Sequence, residues 1–403
     1  MIEVIATKVI QINSECGFGS TGKISVAISR ELNKNNVENY IFYSGNHKND
    51  YEGGIMIAPK ISIRIHQLLS RVFGDQGFHS YFSTRRMVKK IKKIAPDAIL
   101  LHNLHGYYLH MGVLFRFLKR YGKPVYWTFH DCWPFTGHCT HFIASECYKW
   151  KDGCYECPRK SSYPYSWFFD RSKDLYKKKK KLFTSIENMT VITPSEWLAE
   201  LVRESYFNKY PIKVINNGID LDVFKPTDSV FRKKYAIGQK RIVLGVSSVW
   251  NYYKGIDVFC ELFQRLDTSK YQIVLVGTDD SVDKMLPEGI ISVHRTCDQT
   301  ELAALYTCAD VFVNPTREEN YPTVNMEAIA CGTPVVTFNT GGCAEIVTEE
   351  CGAVVYSNTI DEMVEKIHNV ISNRDFYVNG CRSRADDFAE RTCFDKYIRM
   401  IIG

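Results

Sequence analysis

Residues 314–336 read NPTREENYPTVNMEAIACGTPVV, and this stretch decides the fold. It joins two short apolar strand candidates through a segment with helical spacing. Tyr321-Pro322 marks the helix start, because proline is favoured in a first helical turn. Glu319 then precedes the helix, and Glu327 lies about a turn and a half inside it. A helix N-terminus favours phosphate, and carboxylates accept hydrogen bonds from hydroxyls, so the stretch predicts a site for a phosphorylated polyol.

Strand and helix candidates alternate on both sides of this stretch. Predicted strands cover residues 3–12, 39–43, 98–101, 124–128, 241–249, 271–276, 290–293, 311–313, 334–338 and 353–356. Predicted helices cover residues 19–32, 82–94, 111–120, 256–267, 299–307, 322–331, 360–372 and 393–402. This alternation favours parallel sheets with crossover helices. A cysteine-rich stretch near residue 140 interrupts the even run of units that a barrel requires, so we predict an α/β chain of two open, Rossmann-like parallel-sheet domains.

The composition is that of a globular protein, with 403 residues, 45% hydrophobic and 24% charged. No apolar run reaches the roughly 18 residues of a spanning helix, and Met1–Ile5 does not resemble a signal peptide, so we expect a cytoplasmic protein. Residues 1–190 carry 29 Lys and Arg against 15 Asp and Glu, whereas the remainder carries 22 against 30. The basic half suits an anionic membrane surface, a lipid pyrophosphate or a nucleic acid; the alternative is ordinary surface charge.

A glycine-rich turn follows the first predicted strand, with glycines at positions 17, 19 and 22. It nearly matches the phosphate-binding P-loop, but Ile24 stands where the magnesium-binding hydroxyl is required. It also lacks the acidic residue that a dinucleotide-binding motif places after the second strand. We interpret Gly17, Gly19 and Gly22 as a backbone turn at a helix N-terminus that binds an anion or lets a substrate approach; the alternative is a plain strand–helix turn.

Four of the 14 cysteines form a cluster with the spacing C-x7-C-x6-C-x2-C. The cluster consists of Cys139, Cys147, Cys154 and Cys157. Gly153 and Pro158 flank the C-x2-C pair, as in metal knuckles, and four thiolates would give a closed structural zinc site. His138 is a possible substitute ligand, and an iron–sulfur cluster, disulfides or unrelated buried thiols are the alternatives. Disulfides are disfavoured in a reducing cytosol.

The stretch from Glu319 to Glu345 resembles the fingerprint of the family 4 retaining glycosyltransferases, which have the GT-B fold. That fingerprint runs E-x7-E, then A-x-A-C/S-G-x-P-V-V and a G-G turn, matched here through Gly341-Gly342. Asn320 replaces the usual glycine of E-G-F-P, as in colanic-acid and capsule-type transferases. Asn216 to Pro226 resembles the N-G-I-D-x3-F-x-P turn that opens the second domain.

The resemblance implies a domain arrangement and a reaction. Residues 1–190 would form an acceptor-binding domain with a cysteine-rich insert at 132–160, and residues 191–390 a nucleotide-sugar-binding domain. Residues 391–403 would form a helix that returns to the first domain, and a cleft would lie between the domains. The reaction would transfer a hexosyl unit from a UDP- or GDP-type sugar to a glycan or a polyprenyl-diphosphate-linked acceptor, with retention and without a catalytic metal.

The resemblance also implies the site residues. Lys254 is kept from the donor site, but Ser247-Ser248 replaces the usual arginine, so Arg295, Arg317 or helix N-termini would have to compensate. His130 follows the strand at 124–128, where the family often has a histidine near the donor sugar. The predicted catalytic residues are His130, Glu319 and Lys254. The predicted donor-binding residues are Gly17, Gly19, Gly22, Ser248, Lys254, Arg295, Glu319, Asn320, Tyr321, Pro322, Thr323 and Glu327.

Two other functions remain open from the sequence. One is a nucleotide-sugar epimerase or phosphorylase on the same fold. The other is a zinc-containing nucleic-acid-binding protein that uses the basic half, but the acidic second half and the paired carboxylates argue against a nucleic-acid partner. We therefore expect a surface-polysaccharide glycosyltransferase, with peripheral attachment to the inner membrane face as a further expectation.

Overall fold

The computed structural model describes residues 7–47, 49 and 51–403. Contacts divide the chain into two compact units. Unit 1 runs to Asn216 and includes Phe394–Gly403, and unit 2 comprises Asn217–Cys393. The predicted boundary at 190/191 is therefore too early, because a further strand, a helix and an edge strand complete unit 1 before residue 217. None of the described helices is long and apolar enough to cross a membrane.

Among its described residues before 217, unit 1 contains seven strands and six helices. In chain order these are β1 (Lys8–Asn13), α1 (Gly19–Lys34), β2 (Glu38–Ser44), β3 (Gly54–Ala58), α2 (Lys60–Phe73), α3 (Tyr81–Ile94), β4 (Ala98–Leu101), α4 (Met111–Tyr121), β5 (Val125–Thr128), α5 (Ser172–Phe183), β6 (Met189–Thr193), α6 (Glu196–Glu204) and β7 (Ile212–Val214). The strands form one sheet in the order β3-β2-β1-β4-β5-β6-β7, and every neighbouring pair is parallel. The chain reverses its direction of winding between β1 and β4, which is where open α/β sheets bind ligands.

Unit 2 contains a second parallel sheet. Its elements are α7 (Phe231–Lys234), β8 (Arg241–Val246), α8 (Ile256–Arg265), β9 (Tyr271–Val276), α9 (Asp280–Asp283), β10 (Ile291–Val293), α10 (Gln299–Cys308), β11 (Val311–Asn314), α11 (Thr323–Ala330), β12 (Val335–Phe338), α12 (Cys343–Ile346), β13 (Gly352–Val355), α13 (Ile360–Ser372) and α14 (Arg374–Ala385). The order is β10-β9-β8-β11-β12-β13, again all parallel. The corresponding switch point lies between β8 and β11.

The central strands are mostly apolar and are buried along their whole length because helices cover both faces of each sheet. All four residues of β4, β11 and β12 are buried. In unit 1, Trp127 of β5 lies at the centre of an aromatic cluster with Phe115, Phe129, Phe183 and Phe207. The two open α/β units predicted from the sequence are thus confirmed.

The last helix, α15 (Glu390–Ile402), begins in unit 2 and continues into unit 1. Its final residues are fixed on the unit 1 sheet. The Tyr126 hydroxyl donates to the backbone oxygen of Met400 at 2.9 Å, and the hydroxyls of Thr128 and Tyr397 lie 3.0 Å apart. The chain therefore crosses from unit 1 to unit 2 and returns through this helix.

Candidate active site

Lys254 and Glu319 meet at the switch point of unit 2. Lys254 lies in the loop after β8, and Glu319 lies in the loop after β11, the strand beside β8. The ammonium Nζ of Lys254 is 2.5 Å from Oε2 of Glu319 and 3.4 Å from the backbone oxygen of Glu318. The structure thus brings together two residues that the sequence placed 65 positions apart.

Two glycines let the loops around this pair pack closely. Gly255 has φ +74°, and a Cβ there would lie 2.5 Å from the backbone oxygen of Pro315. Gly341 has φ +58°, and its Cβ would lie 2.0 Å from the backbone oxygen of Glu319. The next residue, Gly342, donates its N–H to the Asn320 oxygen at 2.6 Å. The G-G turn is therefore required because it supports the backbone that carries Glu319.

Lys254 keeps its charge in this environment. Burial opposes the ammonium, but the Glu319 carboxylate beside it holds the pKa of Lys254 above its ordinary value. Arg317, which the sequence offered as a compensating cation, is already paired with an acidic side chain. Its guanidinium forms a bidentate ion pair with Asp257, at 2.8 and 2.7 Å, and lies 4.0 Å from the centre of the Tyr252 ring. Arg317 therefore fixes the Lys254 loop, while Arg295 is exposed two residues past the end of β10.

Glu327 lies on α11 and is positioned by a residue that the sequence did not suggest. The hydroxyl of the fully buried Tyr306, on α10, donates to Oε2 of Glu327 at 3.2 Å. Tyr306 belongs to an apolar helix face, so its spacing gave no sign of a site. It orients the carboxylate while the rest of its ring packs in the core.

The N-terminus of α11 has the features of an anion site. No side chain caps it, since Pro322 precedes the helix and Thr323 is its first residue. Asn320 is buried, and the Tyr321 ring lies in the hydrophobic core of unit 2. The Tyr321 side chain therefore has a core position, and its donor-binding role stays a prediction. Ser248 is exposed in the loop after β8.

In unit 1, the glycine-rich turn lies between β1 and α1. Gly17 donates its N–H to the oxygen of Gly22 at 2.9 Å, and Gly19 opens α1. The helix begins after Phe18 without a side-chain cap. The turn is therefore closed by backbone contacts, and its helix N-terminus carries no competing side-chain acceptor.

A chain of hydrogen bonds links β1 to His130. Nε2 of His102 is 2.8 Å from Oε1 of Gln11, and Nδ1 of His102 is 3.1 Å from Nε2 of His130. The Gln11 amide group donates to Ser25 and Ser29, so its oxygen must accept from His102. Burial lowers the pKa of His102 well below its usual value and that of His130 to about 4. Both rings are therefore neutral, and His130 donates from Nε2 to Nδ1 of His102.

A histidine–aspartate pair, His105 and Asp131, lies at the same edge of the unit 1 sheet. Nε2 of His105 is 2.7 Å from Oδ2 of Asp131, and Nδ1 is 2.9 Å from the Tyr163 hydroxyl. Burial opposes the charge of Asp131, but His105 holds the pKa of this carboxyl below its ordinary value. The sequence indicated both histidine segments, but Tyr163 lies 58 residues from His105 and no motif connects them.

The cysteine cluster lies in residues 132–171, which contain two short 3₁₀ turns but no long helix or strand. All four cysteines are free thiols, with Cys139 buried and the others half-buried. Within the described residues, one group of three or more potential metal ligands has its atoms within 4.8 Å of one another, and it is the exposed trio Asp280, Asp283 and His294. No three of the four cluster sulfurs therefore lie that close together. Lys179 of α5 is buried beside this region, although it belongs to the run Lys177–Lys181, in which five consecutive lysines predict a solvated helix face.

Two Rossmann-like units, with a lysine–carboxylate pair and an uncapped helix at the switch point of the second, define a glycosyltransferase of the GT-B fold. The chain belongs to the family 4 glycosyltransferases. The family described as "Glycosyltransferase Family 4" matches residues 23–223, and "Glycosyl transferases group 1" matches residues 228–389.

Relatives agree with this assignment. The chain is 23% identical over 372 residues to the "Putative colanic acid biosynthesis glycosyl transferase WcaC" of Escherichia coli K12, covering 89% of both chains. It is 26% identical over 216 residues, half of this chain and 57% of the relative, to the N,N'-diacetylbacillosaminyl-diphospho-undecaprenol alpha-1,3-N-acetylgalactosaminyltransferase of Campylobacter jejuni.

Solved structures share the fold over nearly the whole chain. Sucrose-phosphate synthase from Thermosynechococcus elongatus superimposes with a TM-score of 0.72 at 16% identity, over 98% of both chains. Anabaena HepE, in complex with UDP and glucose, superimposes with a TM-score of 0.69 at 14% identity, over 98% of this chain and 99% of that one.

Proposed function

We propose that this enzyme transfers a hexosyl unit from a UDP- or GDP-type sugar to a glycan or polyprenyl-diphosphate-linked acceptor, with retention at the anomeric carbon. The observation that carries the donor assignment is the Lys254–Glu319 pair beside the uncapped N-terminus of α11. This edge of the unit 2 sheet offers a fixed cation, two carboxylates and a helix N-terminus that no side chain caps. The cation and the helix N–H groups can bind the phosphates of a nucleotide diphosphate, and the carboxylates can accept hydrogen bonds from sugar hydroxyls.

Each side chain then has a separate task. Lys254 and the first N–H groups of α11 stabilise the charge that develops on the departing diphosphate. Glu319 accepts hydrogen bonds from the hexose hydroxyls, and Glu327, held by Tyr306, accepts from the ribose. Glu319 and the Glu318 oxygen take two of the three ammonium donors of Lys254, which leaves one for the diphosphate.

Retention is proposed to proceed by attack from the face that the leaving group occupies. The departing diphosphate would take the proton of the acceptor hydroxyl, so the protein needs no nucleophilic carboxylate and no catalytic metal. In unit 1, we assign His130 a catalytic role as a neutral ring whose Nδ1 accepts a hydrogen bond from a substrate hydroxyl. The glycine turn of residues 17–22 is proposed to bind an anionic or closely approaching part of a substrate.

The acceptor class rests on the relatives. The names of the two relatives refer to colanic acid and to an undecaprenol-diphosphate glycan. We therefore propose a role in surface-polysaccharide biosynthesis, such as capsule, exopolysaccharide or O-antigen assembly, with a lipid-linked glycan as the acceptor.

An exposed apolar surface of unit 1 suits an enzyme that acts on a lipid-linked acceptor. On α2, Ile61, Ile65 and Leu68 form one stripe and are 64%, 53% and 52% exposed. The loop at residues 165–169 adds four exposed aromatic rings. A backbone hydrogen bond joins this loop to α2, in which the Trp167 N–H donates to the Arg71 oxygen at 2.7 Å. We call the α2 stripe and this loop the α2 face.

The α2 face is basic as well as apolar. Helix α2 contains Lys60, Arg64 and Arg71 and no acidic residue. The Arg71 guanidinium lies 5.4 and 5.7 Å from the centres of the Tyr165 and Trp167 rings. Apolar and aromatic groups combined with cations suit the surface of an anionic bilayer. We propose that unit 1 attaches peripherally to such a bilayer through this face.

The reaction is tested by incubating the full chain with single UDP- and GDP-hexoses and polyprenyl-diphosphate-linked glycans. Release of nucleoside diphosphate, an acceptor one hexose heavier and an unchanged anomeric configuration by NMR are expected. An epimerised donor without any acceptor product would instead support the epimerase, and an inverted linkage would refute retention.

The membrane proposal has its own assay, which is sedimentation with vesicles of phosphatidylcholine alone or mixed with phosphatidylglycerol. Binding should require the anionic lipid and should fall in Leu68→Ser and Phe168→Ser. Tyr356→Ser, which removes a comparably exposed ring from unit 2, is the matched control. Equal binding by all three variants would contradict the proposal without affecting the transferase assignment.

A further inference from the structure

The cysteine cluster is built differently from the other thiols of the chain. Its four members lie on one short, irregular segment between β5 and α5. They are close enough that a charge on any of Cys147, Cys154 or Cys157 would act on the sulfur of Cys139. All four are reduced, so the segment has no covalent link to hold its turns together.

The surroundings of the cluster suit negative charge on sulfur. The Gly137 N–H donates to Sγ of Cys154 at 3.0 Å. The Lys179 ammonium is completely buried beside the cluster and is attracted by both Cys154 and Cys139. It donates to the Trp133 oxygen at 2.5 Å and lies 3.7 Å from the centre of the Trp133 ring. Burying an ammonium is costly without a counter-charge; Asp131 supplies one, and thiolates at the cluster would supply more.

We propose that the cysteine cluster binds one zinc ion in a closed structural site, with Lys179 as the buried counter-charge. Four thiolates around Zn²⁺ form a dianion, which Lys179 and the nearby Arg159 offset. Thiolate ligation in a tetrahedral set is the arrangement that zinc prefers. Zinc–sulfur bonds of about 2.3 Å would place the sulfurs closer together than they lie here, so binding would draw the four side chains inward.

The zinc would order a segment that supports the unit 1 histidines. Asp131 directly precedes the segment, and Tyr163 follows the last cysteine by six residues. These two side chains are the partners of His105. A fixed segment therefore holds both ends of the His105 arrangement, and its loss would release them together. The site has no open coordination position, so it takes no part in the transfer itself.

The test uses the full chain, expressed without a polyhistidine tag, and elemental analysis of the purified protein. One zinc per chain is expected, and Cys154→Ser and Cys157→Ser should lose it, whereas Cys260→Ser, a half-buried thiol in unit 2, should retain it. Lys179→Met should retain zinc but lose it to a chelator at an at least ~10-fold lower chelator concentration, as for other groups that support metal ligands.

A second measurement does not depend on variants that fold poorly. Replacing the metal with Co²⁺ in the unaltered protein should give the charge-transfer and visible bands of a tetrahedral tetrathiolate complex. Protein without bound metal that also gives no such spectrum, two disulfides under non-reducing mass spectrometry, or stoichiometric iron with inorganic sulfide would each overturn the proposal. Failure here would leave the donor site in unit 2 unaffected.

Discussion

Replacing Lys254 with glutamine separates the structural from the catalytic contribution of its charge. In the free enzyme, Lys254 is 33% exposed and its ion-pair partner Glu319 is 24% exposed, with 2.5 Å between the charged atoms. Lys254→Gln leaves a half-buried carboxylate without its cation. We expect the free energy of unfolding to fall by about 1–3 kcal/mol, less than the loss at a fully buried pair. The double variant Lys254→Gln/Glu319→Gln should recover most of that loss because neither charge remains.

The effect on the nucleotide should follow a different pattern. Lys254→Gln removes a charge-assisted hydrogen bond to the diphosphate, worth about 1.5–3 kcal/mol, so the Kd for the preferred nucleoside diphosphate should rise about 10- to 100-fold. The double variant should bind equally weakly although it is stable. Glu319→Gln alone should keep its nucleotide affinity, because Lys254 is then free, but should lose sugar transfer.

Titration calorimetry and thermal unfolding of the same preparations measure both effects. Lys270→Gln is the matched control, since this exposed lysine is also paired with a carboxylate, Asp267, but lies at the opposite end of the unit 2 sheet. A Kd for Lys254→Gln within a factor of about three of the unaltered protein would refute the reasoning, because a charged contact to phosphate is worth more than that. Recovery of affinity in the double variant would likewise show that Lys254 acts only by neutralising Glu319.

Three further predictions follow from other contacts. Gly341→Ala should reduce transfer strongly while changing nucleotide affinity less, since its Cβ would displace the backbone of Glu319; kinetics with saturating donor should give a lower kcat, and an unchanged kcat would contradict the steric argument. Tyr306→Phe should weaken nucleoside more than free-sugar binding, by about 0.5–1.5 kcal/mol, which competition titration can measure. Unfolding free energy should fall as the pH drops from 6.5 towards 4, because burial lowers the pKa of His66 to about 3 and that of His102 well below its usual value. In this pH range a histidine is protonated in the unfolded chain but not in the folded one, so each buried ring adds up to about 1.4 kcal/mol per pH unit to the slope of unfolding free energy against pH. Denaturant titrations of His66→Gln should give a smaller slope, and an equal slope would show that His66 does not contribute.

Much of the fold could be predicted because its signals are local. β4, β9 and α13 have the predicted bounds, and α1 begins at the predicted glycine. Continuous apolar runs identify strands that are buried on both faces, and capping and turn residues mark helix ends. Helix α2 was missed; its buried face carries the polar His66 and Ser70 beside Ile63, whereas most of its apolar residues lie on the exposed α2 face.

The site was predictable only where residues share a motif. Glu319 and Glu327 are eight positions apart, so the sequence indicated both. Tyr306 and Tyr163 reach the site regions from distant elements, and their roles depend on how the helices and the insert pack. Arg317 illustrates the opposite difficulty: its charge and its place near the motif suggested a phosphate contact, but the structure pairs it with Asp257. Long-range pairing of this kind leaves no local pattern in a single sequence.

The most direct test of the proposed donor site is a calorimetric titration of the full chain with UDP, GDP and ADP, each repeated with Glu327→Ala. One of UDP and GDP should bind, and the variant, although folded, should lose most of this affinity because the ribose contact on α11 is gone. Absence of binding to any of the three nucleotides by a protein with a cooperative unfolding transition would contradict the account.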